Sequence, residues 1–158
     1  MYEYSKNPLL YKYLEFEPQK SINETRDYLL KLISRSNVNN AHYWFIRLTE
    51  NRKVIGTFGV HDIDFRKGMA EISYGISPAY WSKGYFKEVL KIVLDFLFFS
   101  KKFHRIFATT RFDNLPSIKG LEKLEFKKEA TLRDFYLSSD GNYYDAVILA
   151  ILKHEYKS

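Results

Sequence analysis

The sequence predicts a single α/β domain over residues 1–158, a mixed and mostly antiparallel twisted sheet flanked by helices. Three observations lead there. A chain of 158 residues with 46% hydrophobic content has one domain's length and enough apolar surface for one core. No internal repeat, low-complexity tract or linker-like stretch divides it. Its periodicity runs helix, three strands, helix, strand, helix, two strands.

Residues 1–20 carry no clean period; Pro8 and Pro18 bracket an aromatic stretch from Leu9 to Phe16. Ser21-Ile22-Asn23-Glu24 is a capping box, in which serine and glutamate satisfy otherwise unpaired N–H groups of a helix start. Ile22, Tyr28, Leu29, Leu32 and Ile33 follow at helical spacing, and the helix is expected to end near Asn37, where asparagines cluster. Tyr43 to Thr49 and Val54 to Ile63 are strands on either side of a polar turn, Glu50-Asn51-Arg52-Lys53. Met69 to Ile76 alternates, with Ala70, Ile72, Tyr74 and Ile76 on one face and Glu71, Ser73 and Gly75 on the other. The short turns make these three strands an antiparallel meander. Pro78 ends the third, and a long helix is expected from Gly84 to about Phe99, with Val89, Ile92, Val93, Phe96 and Leu97 on its apolar stripe. Arg105 to Thr110 is a short strand. Asn114-Leu115-Pro116 opens another helix, proline sitting in the first turn where its missing N–H costs little. Phe126 to Tyr136 and Tyr143 to Leu152 close the chain as strands, joined at Ser139-Asp140-Gly141.

Composition removes several function classes. With no cysteine, neither a disulfide framework nor a thiol nucleophile is available, and a cytoplasmic location is the expectation. The first ten residues lack the apolar run of a secretory signal. The most apolar stretch, Val89 to Phe99, is interrupted by Lys91 and Asp95 and is too short to span a bilayer. His42, His61, His104 and His154 are scattered without ligand-like spacing, so no structural metal is expected. A net charge of +6 favours a polyanionic partner: nucleic acid, an acidic membrane surface or a phosphorylated small molecule. No RNA-recognition motif is present, and the aromatic residues mostly follow core periodicity.

Residues 74–91 combine a buried strand, a glycine-containing loop and the start of an amphipathic helix. Unpaired N–H groups and the positive end of the dipole make such a start a phosphate site. Lys83, Lys87 and Lys91, four residues apart, can line the face leading away from it. The plainer reading is a helix cap beside a solvated lysine stripe.

This segment resembles the GNAT N-acetyltransferase superfamily, in particular its ribosomal-protein alanine acetyltransferase (Rim-like) branch. The resemblance runs from about Ser21 to Tyr156 and rests on motifs in order. Ala70-Glu71-Ile72-Ser73-Tyr74-Gly75-Ile76-Ser77-Pro78, followed by Tyr80-Trp81-Ser82-Lys83-Gly84-Tyr85, is similar to that branch's fourth strand and phosphate loop. Asn114-Leu115-Pro116-Ser117-Ile118 and Glu122-Lys123-Leu124-Glu125-Phe126 resemble its next helix, and Arg133, Gly141, Asp145 and Leu149 to Tyr156 its terminal hairpin.

The resemblance implies an acetyl-CoA donor, an amine acceptor (a protein N-terminus, an amino-sugar nucleotide or a small amine) and direct transfer between them. It assigns the pyrophosphate to backbone amides from Ser82 to Lys87, including Lys83, Gly84, Tyr85 and Phe86, beside Trp81. It assigns the pantetheine arm to the strand from Tyr74 through Ile76 to Ser77, with the Ile76 N–H polarising the thioester carbonyl, and brings Asn114 and Ser117 near the cofactor's inner end. Both have good structural roles as well, Asn114 as a helix N-cap and Ser117 in the first turn. Glu71, ten residues before Trp81, is the candidate general base. Its other reading is an exposed strand glutamate.

Four departures accompany the resemblance. Trp81 stands where the loop usually opens with Gln or Arg. Phe86 stands where a small residue is common, and hinders the phosphate unless its ring turns into the core. Leu121 occupies the position of a tyrosine general acid, so either Tyr74, Tyr85 or Tyr136 substitutes, with Tyr136 the candidate, or the thiolate leaves without help; Glu125 replaces a glycine. The first strand of the family sheet is also expected to be missing, so a second chain, as in a homodimer, is one way to complete the acceptor pocket. Tyr11, Tyr13 and Phe16 are candidates for its wall. The competing classes are a non-catalytic acyl-CoA-binding protein, motivated by Phe86 and Leu121, and a basic nucleic-acid-binding domain. No membrane partner is expected.

Overall fold

The computed structural model describes residues 1–38, 41–139 and 141–157. Its elements are α1 (Tyr2–Ser5), α2 (Ile22–Val38), β1 (His42–Arg47), β2 (Val54–Asp64), β3 (Met69–Ile76), α3 (Tyr85–Asp95), β4 (Arg105–Arg111), α4 (Leu115–Glu122), β5 (Lys127–Leu137) and β6 (Tyr143–Leu152). The strands make one sheet in the order β1-β2-β3-β4-β6-β5. Among the described residues, no helix is long and apolar enough to cross a membrane.

Connection length sets the strand directions. Short turns join β1 to β2, β2 to β3 and β5 to β6, and each pair is antiparallel. Between β3 and β4 the chain crosses over through α3, which makes this pair parallel. The parallel ladder covers Met69↔Arg105, Ala70↔Ile106 and Glu71↔Phe107, at the N-terminal ends of both strands. Beyond Glu71 and Phe107 the two strands splay apart, and the candidate site lies in that opening.

One face of the sheet presents Phe58, Val60, Ala70, Ile72, Ile106, Ala108, Val147 and Leu149 to Leu90, Leu94, Leu97 and Phe98 of the α3 segment and Leu121 of α4. Removing this much apolar surface from water is the main favourable contribution to folding. A smaller cluster of Ile46, Leu48, Ile55 and Ile76 is joined to it by Phe86 and Val89. The expected alternation of β3 is observed: Ala70, Ile72 and Ile76 are buried, and Ser73 on the other face is exposed.

Two helical stripes differ from expectation. On α3 the buried residues are Leu90 and Leu94, while Ile92 is 62% exposed. The α-helix stops at Asp95 instead of continuing to Phe99, and a wider π-type turn follows over Phe96–Ser100. That change of phase lets the adjacent Leu97 and Phe98 both face the core. On α2 the buried positions are Thr25 and Leu32, with Ile22 and Ile33 turned outward. A polar cluster fixes this rotation. The Thr25 hydroxyl donates to Gln19 Oε1, which also receives the Ser5 hydroxyl at 2.8 Å, so the first turn of α2 is tied to the N-terminal segment. The capping box is present: Ser21 Oγ accepts from the Glu24 N–H at 3.1 Å, and Glu24 Oε2 from the Lys20 N–H at 2.7 Å.

The asparagine cluster at the end of α2 includes Asn39 and Asn40, which lie outside the described residues, as does Asp140 of the expected β5–β6 turn. The flanks of that turn close through Gly141 N–H to Ser138 O at 2.9 Å and Ser138 N–H to Asn142 O at 3.0 Å.

Candidate active site

The opening between β3 and β4 exposes backbone groups that a continuous sheet would pair. The ladder phases identify them. Ser77 N–H is spent on Ile55 O of β2 at 2.7 Å, so by strand alternation the Ile76 N–H and C=O point into the opening. Phe112 N–H is likewise spent on Asp145 O at 2.9 Å, so Arg111 and Thr109 present their backbone groups to the same gap. Buried backbone groups of this kind need partners. The backbone of Thr109 finds two: its N–H donates to Glu71 Oε1 at 3.1 Å, and its carbonyl accepts from the Tyr136 hydroxyl at 3.2 Å. The splay thus brings a half-buried carboxylate and a phenol together on the backbone of one residue. Burial, followed by the nearby Glu71 and Glu15 carboxylates, pushes the Tyr136 phenol up to about 12, so it keeps its proton at neutral pH.

A cavity of about 630 Å³ occupies this opening and continues under α2 and the segment Tyr13–Phe16. Glu71, Ser73, Tyr74, Thr109, Asn114 and Ser117 line its inner part. There Tyr74 and Ser117 hydroxyls meet at 2.6 Å, Asn114 Oδ1 caps α4 by accepting from the Ser117 N–H at 3.4 Å, and Asn114 Nδ2 donates to Thr110 Oγ1 at 3.0 Å. Burial raises the Tyr74 phenol well above its ordinary value. Its ring lies in the core against Phe58 and Phe86, so what Tyr74 offers the cavity is an edge. The outer part is lined by Tyr13, Glu15, Tyr28, Arg35, His61 and Asp62, among others. Glu15 Oε1 accepts from the Leu137 N–H at 3.1 Å, which holds residues 13–16 against the end of β5. Of the candidate wall residues, Tyr13 and Phe16 line the cavity, while Tyr11 packs edge-on against Phe16.

At the C-terminal end of β3 lies the loop Trp81–Gly84. Ser82 and Gly84 have φ of 59° and 87°, and Gly84 is the N-cap of α3. Two left-handed residues on either side of Lys83 turn successive N–H groups toward one side, as anion-binding nests do. The first-turn N–H groups of α3 have no intrahelical acceptor, and nothing lies within 4 Å of the position a Gly84 Cβ would take. The arrangement fits a phosphate group. The Trp81 indole N–H donates to Ile76 O at 2.6 Å, occupying that carbonyl and leaving the Ile76 N–H directed into the gap. The Ser77 N–H is turned toward β2 and is already paired, and its carbonyl accepts from the Tyr80 N–H at 2.9 Å, so of Ser77 only the side chain remains for a ligand. Phe86 points into the core: its ring centroid lies 4.4 Å from that of Tyr74, and its edge packs on Gly120. It therefore leaves the helix N-terminus open, which removes half of the motive for a non-catalytic reading. Lys83 and Lys87 are exposed and Lys91 is half-buried. Leu121 is fully buried in the core, so no hydroxyl is presented from that position.

Sequence reasoning missed Thr109, whose role is carried by its backbone, and the pair His61 and Asp62. In the fold, one nitrogen or oxygen of each of His61, Asp62 and Glu71 lies within 4.8 Å of the others. No spacing along the chain signals this.

Comparison with known proteins agrees with this geometry. Residues 1–127 match the family model of the acetyltransferase (GNAT) domain. An uncharacterized N-acetyltransferase, p20, of Bacillus licheniformis is 34% identical over 154 residues, covering 98% of this chain and 86% of that protein. The spermidine N(1)-acetyltransferase of Vibrio cholerae is 25% identical over 141 residues, covering 89% and 78%. Among solved structures, a GNAT acetyltransferase from Bacillus anthracis superposes with a TM-score of 0.84 at 24% identity, covering 98% of this chain and 88% of that one. The Vibrio cholerae spermidine N-acetyltransferase, solved with CoA and spermine, superposes with a TM-score of 0.83 at 21% identity, covering 98% and 89%. The loop at α3, the splayed strands and these matches agree: the chain belongs to the GNAT acetyltransferase family and is an N-acetyltransferase of that type.

Proposed function

We propose that this enzyme transfers the acetyl group of acetyl-CoA to the primary amine of a small cationic acceptor, with Glu71 as general base and Tyr136 as proton donor. The observation that carries the reading is Glu71 and Tyr136 held on the backbone N–H and carbonyl of Thr109, inside the cavity. Acetyl-CoA supplies an activated acetyl thioester. Amides of Ser82 to Lys87, with Lys83 and Lys87 alongside, hold its phosphates, and the edge of β3 from Tyr74 to Ser77 holds its pantetheine arm, beside Asn114 and Ser117. The Ile76 N–H donates toward the thioester carbonyl. An amine arrives protonated at neutral pH and cannot attack until that proton is gone. Glu71, with one oxygen on Thr109 N–H, has the other free to remove it. Tyr136 holds its phenolic proton throughout this range, can give it to the departing thiolate, and regains one from the second N–H that the acceptor nitrogen loses on forming the amide.

The acceptor follows from charge. The outer cavity carries Glu15 and Asp62 together with Glu71, against the single guanidinium of Arg35. Such a lining favours a small cation among tyrosine rings over the phosphates of an amino-sugar nucleotide. A related enzyme named for spermidine is consistent with this class. The Rim-like reading, in which the acceptor is a protein N-terminus, is the competing outcome of the test. Use of acetyl-CoA also fits the cytoplasmic location expected from the sequence.

The test is thermal-shift titration with acetyl-CoA, then amine-dependent thiol release with spermidine, an alanine-initiated peptide and an amino-sugar nucleotide. Acetyl-CoA is expected to raise Tm, since a ligand selective for the folded state stabilises it. Spermidine is expected to give the highest kcat/KM. Glu71→Gln should lower kcat by about 10²-fold or more, and Tyr136→Phe by a smaller factor, with the acetyl-CoA shift kept in both. No acetyl-CoA shift, or preferred use of the peptide, contradicts the proposal.

A further inference from the structure

We propose that His61, oriented by Asp62, is a positioning and proton-relay residue that clears the acceptor's proton from Glu71 to solvent. The inference rests on Glu71 being the general base. His61 and Glu71 are direct cross-strand partners in the β2–β3 ladder. They share the phase of the Ser77–Ile55 hydrogen bond, so their side chains leave the same face side by side. Immediately after His61 the register shifts, with Asp62 at φ 49°, and this bulge brings the Asp62 carboxylate back onto the ring. Asp62 Oδ2 lies 2.8 Å from His61 Nδ1. One ring nitrogen is thus held by Asp62, and one nitrogen or oxygen of each of His61, Asp62 and Glu71 lies within 4.8 Å of the others, a gap that one water can bridge. Exposure rises along the series: the His61 side chain is 26% exposed and that of Asp62 75%. The series therefore leads from the buried end of the cavity to its mouth.

Turnover requires such a path. Glu71 accepts the proton when an ammonium N–H bond breaks and a carboxyl O–H bond forms. Before the next acceptor can be deprotonated, that O–H bond must break again. The proton passes to the free imidazole nitrogen, directly or through one water, giving an imidazolium. The imidazolium then gives the proton from that same nitrogen to water at the mouth, so that Nδ1 keeps its proton toward Asp62. One proton leaves the acceptor and one reaches solvent, with no net change in the enzyme. Imidazole exchanges protons readily near neutral pH, which suits it to this step. The charged groups facing His61 are Asp62 on its own strand, Glu71 from β3, Glu15 from the N-terminal segment and Arg35 from α2. Tyrosines face it from the N-terminal segment (Tyr13), α2 (Tyr28), β1 (Tyr43) and β5 (Tyr136). With three carboxylates to one guanidinium, a transient imidazolium meets no excess of positive charge.

The experiment measures kcat and KM against pH for the full chain, with spermidine and acetyl-CoA, in His61→Gln, His61→Ala and Asp62→Asn, each checked for folding by its acetyl-CoA thermal shift. Asp62 is exposed, so its variant tests the relay without risk to the core. In His61→Gln, kcat is expected to fall about 10-fold or more and to lose its inflection on the acid side, with KM for acetyl-CoA unchanged. Added imidazole should restore kcat to His61→Ala, which a purely structural loss would not allow. Asp62→Asn should shift the same inflection. A wild-type pH profile in His61→Gln and Asp62→Asn overturns the relay. Glu71→Gln separates the two readings: if it is inactive while the His61 variants behave as wild type, only the relay fails. If it keeps full activity, the base assignment fails first.

Discussion

Gly120, on the second turn of α4, has no side chain because Phe86 fills the space. A Cβ there would lie 2.9 Å from Phe86 Cε1 and 3.2 Å from Cδ1. The ring cannot retreat freely, since Tyr74 packs against its other side at 4.4 Å between centroids. Gly120→Ala is therefore expected to destabilise the fold by up to about 2 kcal/mol, overpacking outweighing the roughly 1 kcal/mol gained in helix propensity. Denaturant unfolding measures this, and a more stable variant would contradict the packing account. At the same scale the sequence was unevenly legible. Glu71 stood out through its position in a recognisable motif. The pairing of His61 with Glu71 did not, for a physical reason. Counting back from the β2–β3 turn, where Asp64 faces Met69, sets Asp62 opposite Glu71; the bulge shifts the register and substitutes His61. Thr109 was invisible because its backbone, not its side chain, meets the two functional groups.

The β3–loop–α3 element was the most readable part of the chain, because each of its requirements is local. Strand alternation, a proline stop, a glycine at the helix start and an amphipathic period all act within a few residues. Gly84 adopts φ 87°, a conformation that costs an L-residue about 1 kcal/mol or more, while the surrounding space is open. Gly84→Ala should thus act through the backbone: a loss of about 1 kcal/mol in stability, and weaker acetyl-CoA binding as the N–H groups turn away. Isothermal titration with acetyl-CoA checks it, and unchanged affinity would disconnect this loop from the phosphates. The α3 stripe was misphased for a reason that is not local. Apolar residues surround this helix almost continuously from Val89 to Phe99, so the period alone leaves its rotation open. The sheet it meets selects Leu90, Leu94 and Leu97, and the π-type turn after Asp95 resets the phase.

For the whole molecule, buried phenols tie stability to alkaline pH. Burial raises Tyr4 to about 12, and burial with nearby carboxylates raises Tyr136 to about 12. An unfolded tyrosine ionises near about 10. Between about pH 10 and 12 the unfolded chain therefore loses protons that the folded chain keeps, so stability falls with rising pH and levels off above the folded values. Chemical denaturation from pH 8 to 11.5 should record this decline, and Tyr4→Phe should make it shallower. An unchanged slope in that variant would assign the decline to other groups.

The order of elements from Ser21 onward, the antiparallel meander and the glycine at the start of α3 were determined by the sequence alone. Each follows from periodicity, turn chemistry and connection length, all of which act between near neighbours in the chain. Where β3 and β4 part, which groups meet the Thr109 backbone, how the β2 bulge brings His61 and Asp62 to Glu71, and which way Phe86 and Ile92 turn were decided only by the tertiary structure. The Thr109 contacts join residues far apart in the chain, a bulge decides the pairing of His61 with Glu71 between near neighbours, and backbone groups are carried alike by every residue, so the letters of the sequence cannot distinguish them.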